Sequence, residues 1–158
     1  MFSKATLATL YLRYFGISKI PLLFFVRPSV EELSQDQVII KIPLKRRTKN
    51  HLKSMYFGAL AIGADCAAGL IAMQAIQRSG ERVSLVFKDM NARFLQRAEG
   101  DVFFHCTQGK QIIELVDTAI TSQERVQMLV KVKAFIPKMS EDPVAEFDLT
   151  LSLKKKSE

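Results

Sequence analysis

One carboxylate, Asp65, interrupts an apolar stretch that runs from Met55 to Ile76, in which Gln74 is the only other strongly polar residue. Burying a carboxylate is unfavourable unless it has a partner. Asp65 is therefore either a structural acid held by nearby donors or a group kept for proton transfer or nucleophilic attack. The residues around it leave both interpretations open.

The cysteines and histidines offer a weaker case for chemistry. Cys66 follows Asp65 directly, so on a helix its side chain points about 100° away from the carboxylate, and a free cysteine usually packs as a small apolar residue. His105 lies within a strand pattern and is expected to be a sheet residue, whereas His51 is either a loop residue or a second site group. Cys66 and Cys106 show no ligand or disulfide spacing, which predicts no metal site and favours the reducing cytoplasm.

A basic cluster stands just before the apolar stretch. Its members are Lys45, Arg46, Arg47, Lys49 and Lys53. The whole chain of 158 residues carries a net charge of +7, which suits anionic partners. The cluster is either a solvated loop or an anion clamp. Nucleic acid is disfavoured, because no stacking aromatic residues and no groove-reading helix accompany the charge.

The elements that must position these groups are predicted from hydrophobic periodicity. The expected ranges are 1–18 for an amphipathic helix, 22–28 and 37–44 for strands, 55–77 for a long apolar helix, 83–94 and 102–107 for a hairpin, 112–120 for a short helix, 126–136 and 145–153 for a second hairpin, and 154–158 for a solvated tail. This order predicts an α+β fold in which an antiparallel sheet wraps around the long helix. We expect one domain over 1–158.

Three local signals refine these ranges. Ser54 has the residue type of an N-cap for the long helix. The alternation that begins at Val83 shifts by one residue near Lys88 and Asp89, which predicts a β-bulge. Pro43 places its strand at a sheet edge or makes it the strand end.

Two segments are candidates for membrane contact. The apolar residues at helical spacing in the first helix are Leu7, Leu10, Tyr11, Tyr14 and Phe15. They predict a helix that docks on the domain or, alternatively, on a membrane surface. Residues 55–76 are long enough to span a bilayer. We expect a core helix instead, because Asp65 would be unfavourable at a bilayer centre and the strands need an apolar cover.

The element order and the motifs around the long helix resemble the hotdog fold, and in particular acyl-CoA thioesterases of the phenylacetate-pathway type. That family carries an Asn in the loop, a His-Gly-Gly at the helix start and an Asp further along. Asn50 and Asp65 stand 15 positions apart, as in that pattern, and Tyr56-Phe57-Gly58 takes the place of His-Gly-Gly. The stretch ARFLQRAEGDVFFHCT resembles the family's long strand, turn and return strand. The short helix before the last hairpin resembles an uncharacterised branch of the same superfamily, and the likeness covers roughly residues 20–153.

The resemblance implies hydrolysis of an acyl-CoA or acyl-carrier-protein thioester, with coenzyme A as part of the substrate and no other cofactor. Asp65 would be the general base or nucleophile, and Asn50 would orient water or the acyl group. The backbone N–H groups of Phe57 and Gly58 would stabilise the oxyanion. The residues expected to bind substrate are Tyr56, His51, Arg46, Arg47 and Lys49, the last three as a clamp for phosphates or an acidic carrier.

The spacing of Gly58 and Asp65 bears on how such a site is assembled. Seven helical residues bring them within about 20° of the same face but separate them by about 10.5 Å along the axis. One carbonyl cannot contact both. The thioesterase interpretation therefore requires a homodimer, in which the helix start of one subunit meets Asp65 of the other. Pairing of dimers into tetramers is left open.

Three alternatives remain. The chain could be a non-catalytic acyl-binding module, which the replacement of the first glycine by Phe57 favours. It could be a hydratase or dehydratase of the same fold that uses His51 or His105 with an acid. It could also be a peripheral membrane protein that uses the helix over 1–18.

Overall fold

The computed structural model describes residues 3–157. Its elements are α1 (Lys4–Lys19), α2 (Pro21–Val26), β1 (Ser29–Leu33), β2 (Val38–Ile42), α3 (Phe57–Ser79), β3 (Val83–Phe94), β4 (Val102–Cys106), α4 (Gly109–Ser122), β5 (Val126–Phe135) and β6 (Ala145–Lys155). The six strands form one antiparallel sheet in the order β1-β2-β4-β5-β6-β3. The long helix α3 packs across this sheet. The predicted α+β class, with a sheet around one long apolar helix, is confirmed.

The core lies between α3 and the inner face of the sheet. Alternate residues of one strand share a face, and those of β6 that are buried are Ala145, Phe147, Leu149, Leu151 and Leu153. α3 meets this face largely with alanine and glycine, so the helix axis can approach the sheet closely. The tightest point is Gly63, where an added Cβ would overlap the ring of Phe104 in β4.

Among the described residues, α3 is the one helix that is long and apolar enough to cross a membrane, judged by length and composition. Eleven of its residues are buried within the domain, so the sheet, and not a bilayer, covers its apolar surface here. It begins two residues later than expected, and it ends at Gly80, whose φ of 71° is the left-handed conformation typical of a helix C-terminus.

β3 forms one edge of the sheet and pairs only with β6 among the described strands. The register shifts between Phe87 and Met90, which confirms the predicted bulge at Lys88 and Asp89. On the inner side, Phe87 approaches α3 at Gly69, where an added Cβ would lie 3.6 Å from the ring. β3 therefore stands beside the part of α3 that follows Asp65.

The segment before β1 is helical, so the prediction of a strand over 22–28 is wrong. Pro21 lies in the first turn of α2, where its fixed φ suits a helix. Arg27 ends α2 in the left-handed conformation, with a φ of 54°. The apolar run folds back on α1, and a Cβ added to Gly16 would lie 2.8 Å from the backbone nitrogen of Phe24. We call α1 and α2 together the N-terminal hairpin.

The N-terminal hairpin is fixed to β1 by two side chains of α1. The backbone N–H of Val30 donates to Thr9 Oγ1 at 2.8 Å. Arg13 Nε donates to the carbonyl of Pro28 at 3.2 Å. The hairpin is thus held at the start of the strand that follows it.

The face of α1 that packs on the domain differs from the one expected from the large apolar residues. Ala8, Leu12 and Gly16 are the buried residues of α1. Leu7 and Tyr14 are exposed to 54% and 71%. Two of these three buried residues, Ala8 and Gly16, are small and let α1 approach its neighbours closely, as Gly16 does at Phe24 of α2. At the other terminus, the tail expected over 154–158 is shorter, since β6 continues through residue 155.

Candidate active site

Asp65 lies at an open apolar cavity of about 650 Å³ between the N-terminal hairpin, α3 and β3. Leu12 and Leu23 form the hairpin side of the cavity, and Phe87 forms the β3 side. Gly69 is one turn beyond Asp65 and lines the same space. We call this space the Asp65 cavity. Its walls come from four elements, and among the described residues that line it Asp65 carries the one carboxylate.

The carboxylate of Asp65 is half-buried, and within residues 3–157 it has no compensating partner. Burial raises the pKa of its carboxyl group, and within the described chain no hydrogen bond and no neighbouring cation offsets this effect. A structural acid would be expected to hold such donors. An acid that is kept without them, next to an apolar cavity, is typical of a group that acts on a ligand.

Cys66 points into the domain beside Asp65 and is buried. Burial raises the pKa of its thiol, and the negative charge of Asp65 raises it further. The nucleophilic form of cysteine is the thiolate, so this environment disfavours a thiol mechanism, in agreement with the expectation for Cys66.

The start of α3 leaves two backbone donors available. Tyr56 is the N-cap residue, and its carbonyl accepts from the N–H groups of Ala59 and Leu60 at 2.9 and 3.2 Å. Within residues 3–157, the N–H groups of Phe57 and Gly58 donate to no protein acceptor. They lie at the positive end of the helix dipole, so they can serve as the oxyanion donors that the resemblance implies.

The prediction of Ser54 as the N-cap is wrong, because Asn50 engages it. Asn50 Oδ1 accepts from the backbone N–H groups of Leu52 and Ser54 at 2.9 and 3.2 Å. Asn50 Nδ2 donates to Ser54 Oγ at 3.1 Å. This pattern is an Asx-type turn, and it shapes the loop that leads into α3. A role for Asn50 in orienting water stays a prediction, and it would require some of these bonds to break.

A second cavity of about 600 Å³ lies at the start of α3. Asn50, His51, Tyr56 and Phe57 line it, together with Phe94 and its neighbours. The rings of Tyr56 and Phe57 stand 4.6 Å apart, and Phe57 is 59% exposed. None of these residues lines the Asp65 cavity. One chain therefore does not bring the helix start and Asp65 together.

Three residues of the basic cluster lie towards the N-terminal hairpin. Arg47 Nη1 donates to the carbonyl of Phe25 at 3.2 Å, and its guanidinium lies over the Phe25 ring. Lys45 and Arg46 line the same groove. Lys49 pairs with Met55 in an isolated bridge just before α3. Arg46 and Arg47 are thus on the hairpin side, whereas Lys49 is on the loop of the helix-start cavity.

His105 lies in β4 and lines neither cavity. Burial lowers the pKa of its imidazole, while the charge of Glu32 acts in the opposite sense. Its ring packs edge-on against Phe135 at 5.0 Å. The position fits the expected sheet histidine and offers no support for a hydratase that would pair His105 with Asp65.

Sequence patterns did not reveal the walls of the Asp65 cavity. Tyr11 and Phe15 of α1 and Val86 of β3 line it. The sequence predicts only an apolar helix face for Tyr11 and Phe15, and it predicts no role for Val86. The one signal in the sequence is the single acid of the apolar helix. It predicts where α3 borders a cavity, but it does not predict which other elements enclose that cavity.

This geometry defines a hotdog fold, and known structures confirm that fold. A candidate thioesterase from Shewanella oneidensis is 15% identical, with a TM-score of 0.77 over 96% of this chain and 99% of that one. A protein of unknown function and probable thioesterase from Pseudomonas aeruginosa is 22% identical, with a TM-score of 0.76 over 94% and 96%. A thioesterase from Haemophilus influenzae is 14% identical, with a TM-score of 0.67 over 100% and 94%.

At the level of sequence, the family is also clear. Residues 11–153 match the family described as a domain of unknown function, DUF4442, and the chain belongs to it. No curated protein matches the sequence significantly.

Proposed function

We propose that this protein is a thioester hydrolase that acts on acyl-CoA or on an acyl group carried by an acidic carrier protein. The observation that carries the proposal is the half-buried carboxylate of Asp65, which has no partner in the described chain and faces an apolar cavity. The acyl chain would occupy this cavity, with its thioester carbonyl at the carboxylate. Coenzyme A enters as part of the substrate, and no other cofactor is required.

Asp65 supplies the attack in this mechanism. Its ionised carboxylate takes a proton from a water molecule that adds to the thioester carbonyl, or it adds to the carbonyl itself and water then releases the acid. The tetrahedral oxyanion needs donors that are already oriented. The free N–H groups of Phe57 and Gly58 have the required chemistry, and collapse of the intermediate expels the thiolate of coenzyme A.

Two subunits are needed to assemble that site. Gly58 and Asp65 of one chain are about 10.5 Å apart along the helix axis, and they line separate cavities. We therefore propose a homodimer in which α3 of one subunit presents its first turn to Asp65 of the other. In this arrangement Tyr56 and His51 border the substrate, and the cations Arg46, Arg47 and Lys49 attract its phosphates or the carrier.

The test is thiol release from a panel of acyl-CoA substrates, from short to long chains and with aryl groups. We compare the wild type with Asp65→Asn and use Asp117→Asn as the matched control, because Asp117 is an exposed helical acid on α4. A general base contributes at least about a hundredfold, so the Asp65 variant should lose that factor while the control keeps full activity. An equal rate for wild type and Asp65→Asn would contradict the assigned role.

A non-catalytic acyl-binding module is the second candidate, and one observation favours it. The exposed ring of Phe57 lies tilted against the ring of Tyr56 at the proposed oxyanion donors, where it narrows the approach of a thioester. The distinguishing measurement is acyl-CoA binding by calorimetry. Binding without thiol release in the wild type, together with turnover gained in Phe57→Gly, would assign the protein to this class.

A further inference from the structure

The outer side of the N-terminal hairpin exposes an unusual number of large apolar side chains. On α1 these are Leu7, Leu10, Tyr14 and Ile17, which are exposed to 54%, 54%, 71% and 58%. At about 100° per residue they fall within an arc of about 80°. The face continues beyond α1 with Ile20, Leu22 and Phe25, which are exposed to 43%, 59% and 52%. We call these seven side chains the hairpin face.

An exposed apolar face of this kind marks a binding surface. The exposed side chains stand on a firmly attached segment, because Thr9 and Arg13 hydrogen-bond the hairpin to Val30 and Pro28. Gly16 also brings the two helices into close contact. The face is therefore a preformed platform on a folded domain.

The charges around the hairpin face have one sign. Between residues 3 and 30 the chain carries four cations, Lys4, Arg13, Lys19 and Arg27, and no Asp or Glu. The first carboxylates, Glu31 and Glu32, follow in β1. Further cations come from the basic loop, since Arg47 lies over the ring of Phe25 and Arg46 lines the adjacent groove.

We propose that the hairpin face docks on a lipid bilayer that carries anionic headgroups. Apolar side chains of an interfacial helix enter the boundary between headgroups and acyl chains, and flanking cations bind the anionic headgroups. A second copy of the chain fits this surface less well, because it would bring the same cations together with no carboxylate of the hairpin to pair them. This inference does not depend on the proposed hydrolase activity.

Docking would have a direct consequence for the Asp65 cavity. Tyr11, Leu12 and Leu23 of the hairpin line that cavity, and Ile20 belongs both to its lining and to the hairpin face. The wall of the cavity would therefore lie against lipid, so that an acyl chain could pass between the two environments with little exposure to water.

The experiment is vesicle flotation of the full chain at low salt. The vesicles are pure phosphatidylcholine or an equal mixture of phosphatidylcholine and phosphatidylglycerol. Wild type should float with the mixed vesicles and remain largely unbound with the neutral ones. Binding should also fall as salt is added, since surface charges are screened.

Two variants and two matched controls separate the apolar and the charged contributions. The combined change Leu10→Ser, Tyr14→Ser and Ile17→Ser should reduce partitioning at least about a hundredfold, because it removes most of the inserted area of α1. The combined change Lys4→Gln and Lys19→Gln should reduce it about fivefold for each cation removed. The controls are Leu129→Ser with Met139→Ser, and Lys131→Gln with Lys138→Gln, which change exposed residues on and after β5.

Three results would overturn the proposal. Wild type could fail to bind mixed vesicles at low salt, or the β5 controls could lose as much binding as the hairpin variants. The serine variant could instead change the molecular mass in solution by light scattering, which would show that a second copy covers the face. Circular dichroism checks that the variants are folded, and the salt dependence of the wild type tests the proposal without any variant.

Discussion

Two glycines of α3 give a matched test of how the helix packs on the sheet, because the same substitution should stabilise the protein at one glycine and fail to stabilise it at the other. Replacing glycine by alanine inside a helix stabilises it by about 0.8–1.0 kcal/mol. At Gly69 the new Cβ would lie 3.6 and 3.8 Å from two ring atoms of Phe87, which is ordinary contact. Gly69→Ala should therefore raise the free energy of unfolding by about 1 kcal/mol.

Gly63 has no room for the same methyl group. Its Cβ would overlap three ring atoms of Phe104, and Phe104 is fully buried beside Phe147, with ring centroids 6.3 Å apart. The ring cannot withdraw, so overpacking should destabilise by about 1–3 kcal/mol. This cancels or exceeds the gain in helix propensity, and Gly63→Ala should be less stable than Gly69→Ala by about 1–3 kcal/mol.

Thermal unfolding followed by circular dichroism measures this difference, with all proteins at one concentration. For a chain of this size each kcal/mol shifts Tm by about 2–4 °C, so the two variants should be separated by roughly 2–12 °C. Urea unfolding gives an independent value for the same pair. If Gly63→Ala unfolds at or above the temperature of Gly69→Ala, the seating of α3 on Phe104 is wrong.

Three further predictions concern ionisable groups. Burial raises the pKa of Asp65 above its value in the unfolded chain, so the native state binds more protons and loses stability as pH rises through that range. Asp65→Asn should therefore be more stable than wild type at pH 7. A difference in urea midpoint that persists below pH 3.8, where both states are protonated, would refute this. Cys66 and Cys106 are buried with raised thiol pKa values, so a disulfide-exchange reagent should label both in urea and neither in the native state; rapid native labelling would contradict the packing. Arg46→Gln should raise KM for acyl-CoA about fivefold and leave kcat unchanged, because it removes about 1 kcal/mol of binding free energy. KM for an acyl-pantetheine, which lacks the nucleotide, should not change, and an equal rise for both substrates would exclude a phosphate contact.

The strands and the core helix could be predicted because their residues carry periodic patterns. β6 alternates buried and outward residues over most of its length, and the one-residue phase shift in β3 located the bulge at Lys88 and Asp89 correctly. α3 followed from an apolar run too long for a strand. In each case one element's own residues determine which face is buried.

The N-terminal hairpin was not predictable in the same way. The run from Leu22 to Val26 has the residue types of a strand, yet it is helical because Pro21 starts a helix and Gly16 allows α1 to lie against it. α1 packs on the domain with the face that carries Ala8 and Gly16, which allows close approach, and not with the face that carries Leu7 and Tyr14. Both features depend on contacts with other segments or on small residues, and hydrophobic periodicity within one segment does not predict them.

The candidate site shows the same division. Asp65 was conspicuous because it is the one acid of an apolar helix. The cavity beside it could not be predicted, since its walls come from α1, α2 and β3 at their folded positions. Ser54 has the residue type of an N-cap, but its hydroxyl and backbone N–H are hydrogen-bonded to the side chain of Asn50, four residues earlier. Hydrogen bonding to Asn50 thus takes up Ser54, and α3 begins after Tyr56 instead.

The position of β6 in the sheet has a consequence for how the chain is made. β6 lies between β5 and β3, and the nearest paired residues of β3 and β6 are Phe94 and Ala145. At about 5–20 residues per second, a ribosome needs roughly 3–10 s to pass from one to the other. During that interval β3 has been synthesised but has no strand to pair with, and its apolar residues are open to association with other nascent chains. Because β6 runs to residue 155, the sheet closes only after that residue has been synthesised. A premature stop within β6 should therefore leave a chain that is degraded and not a shortened domain.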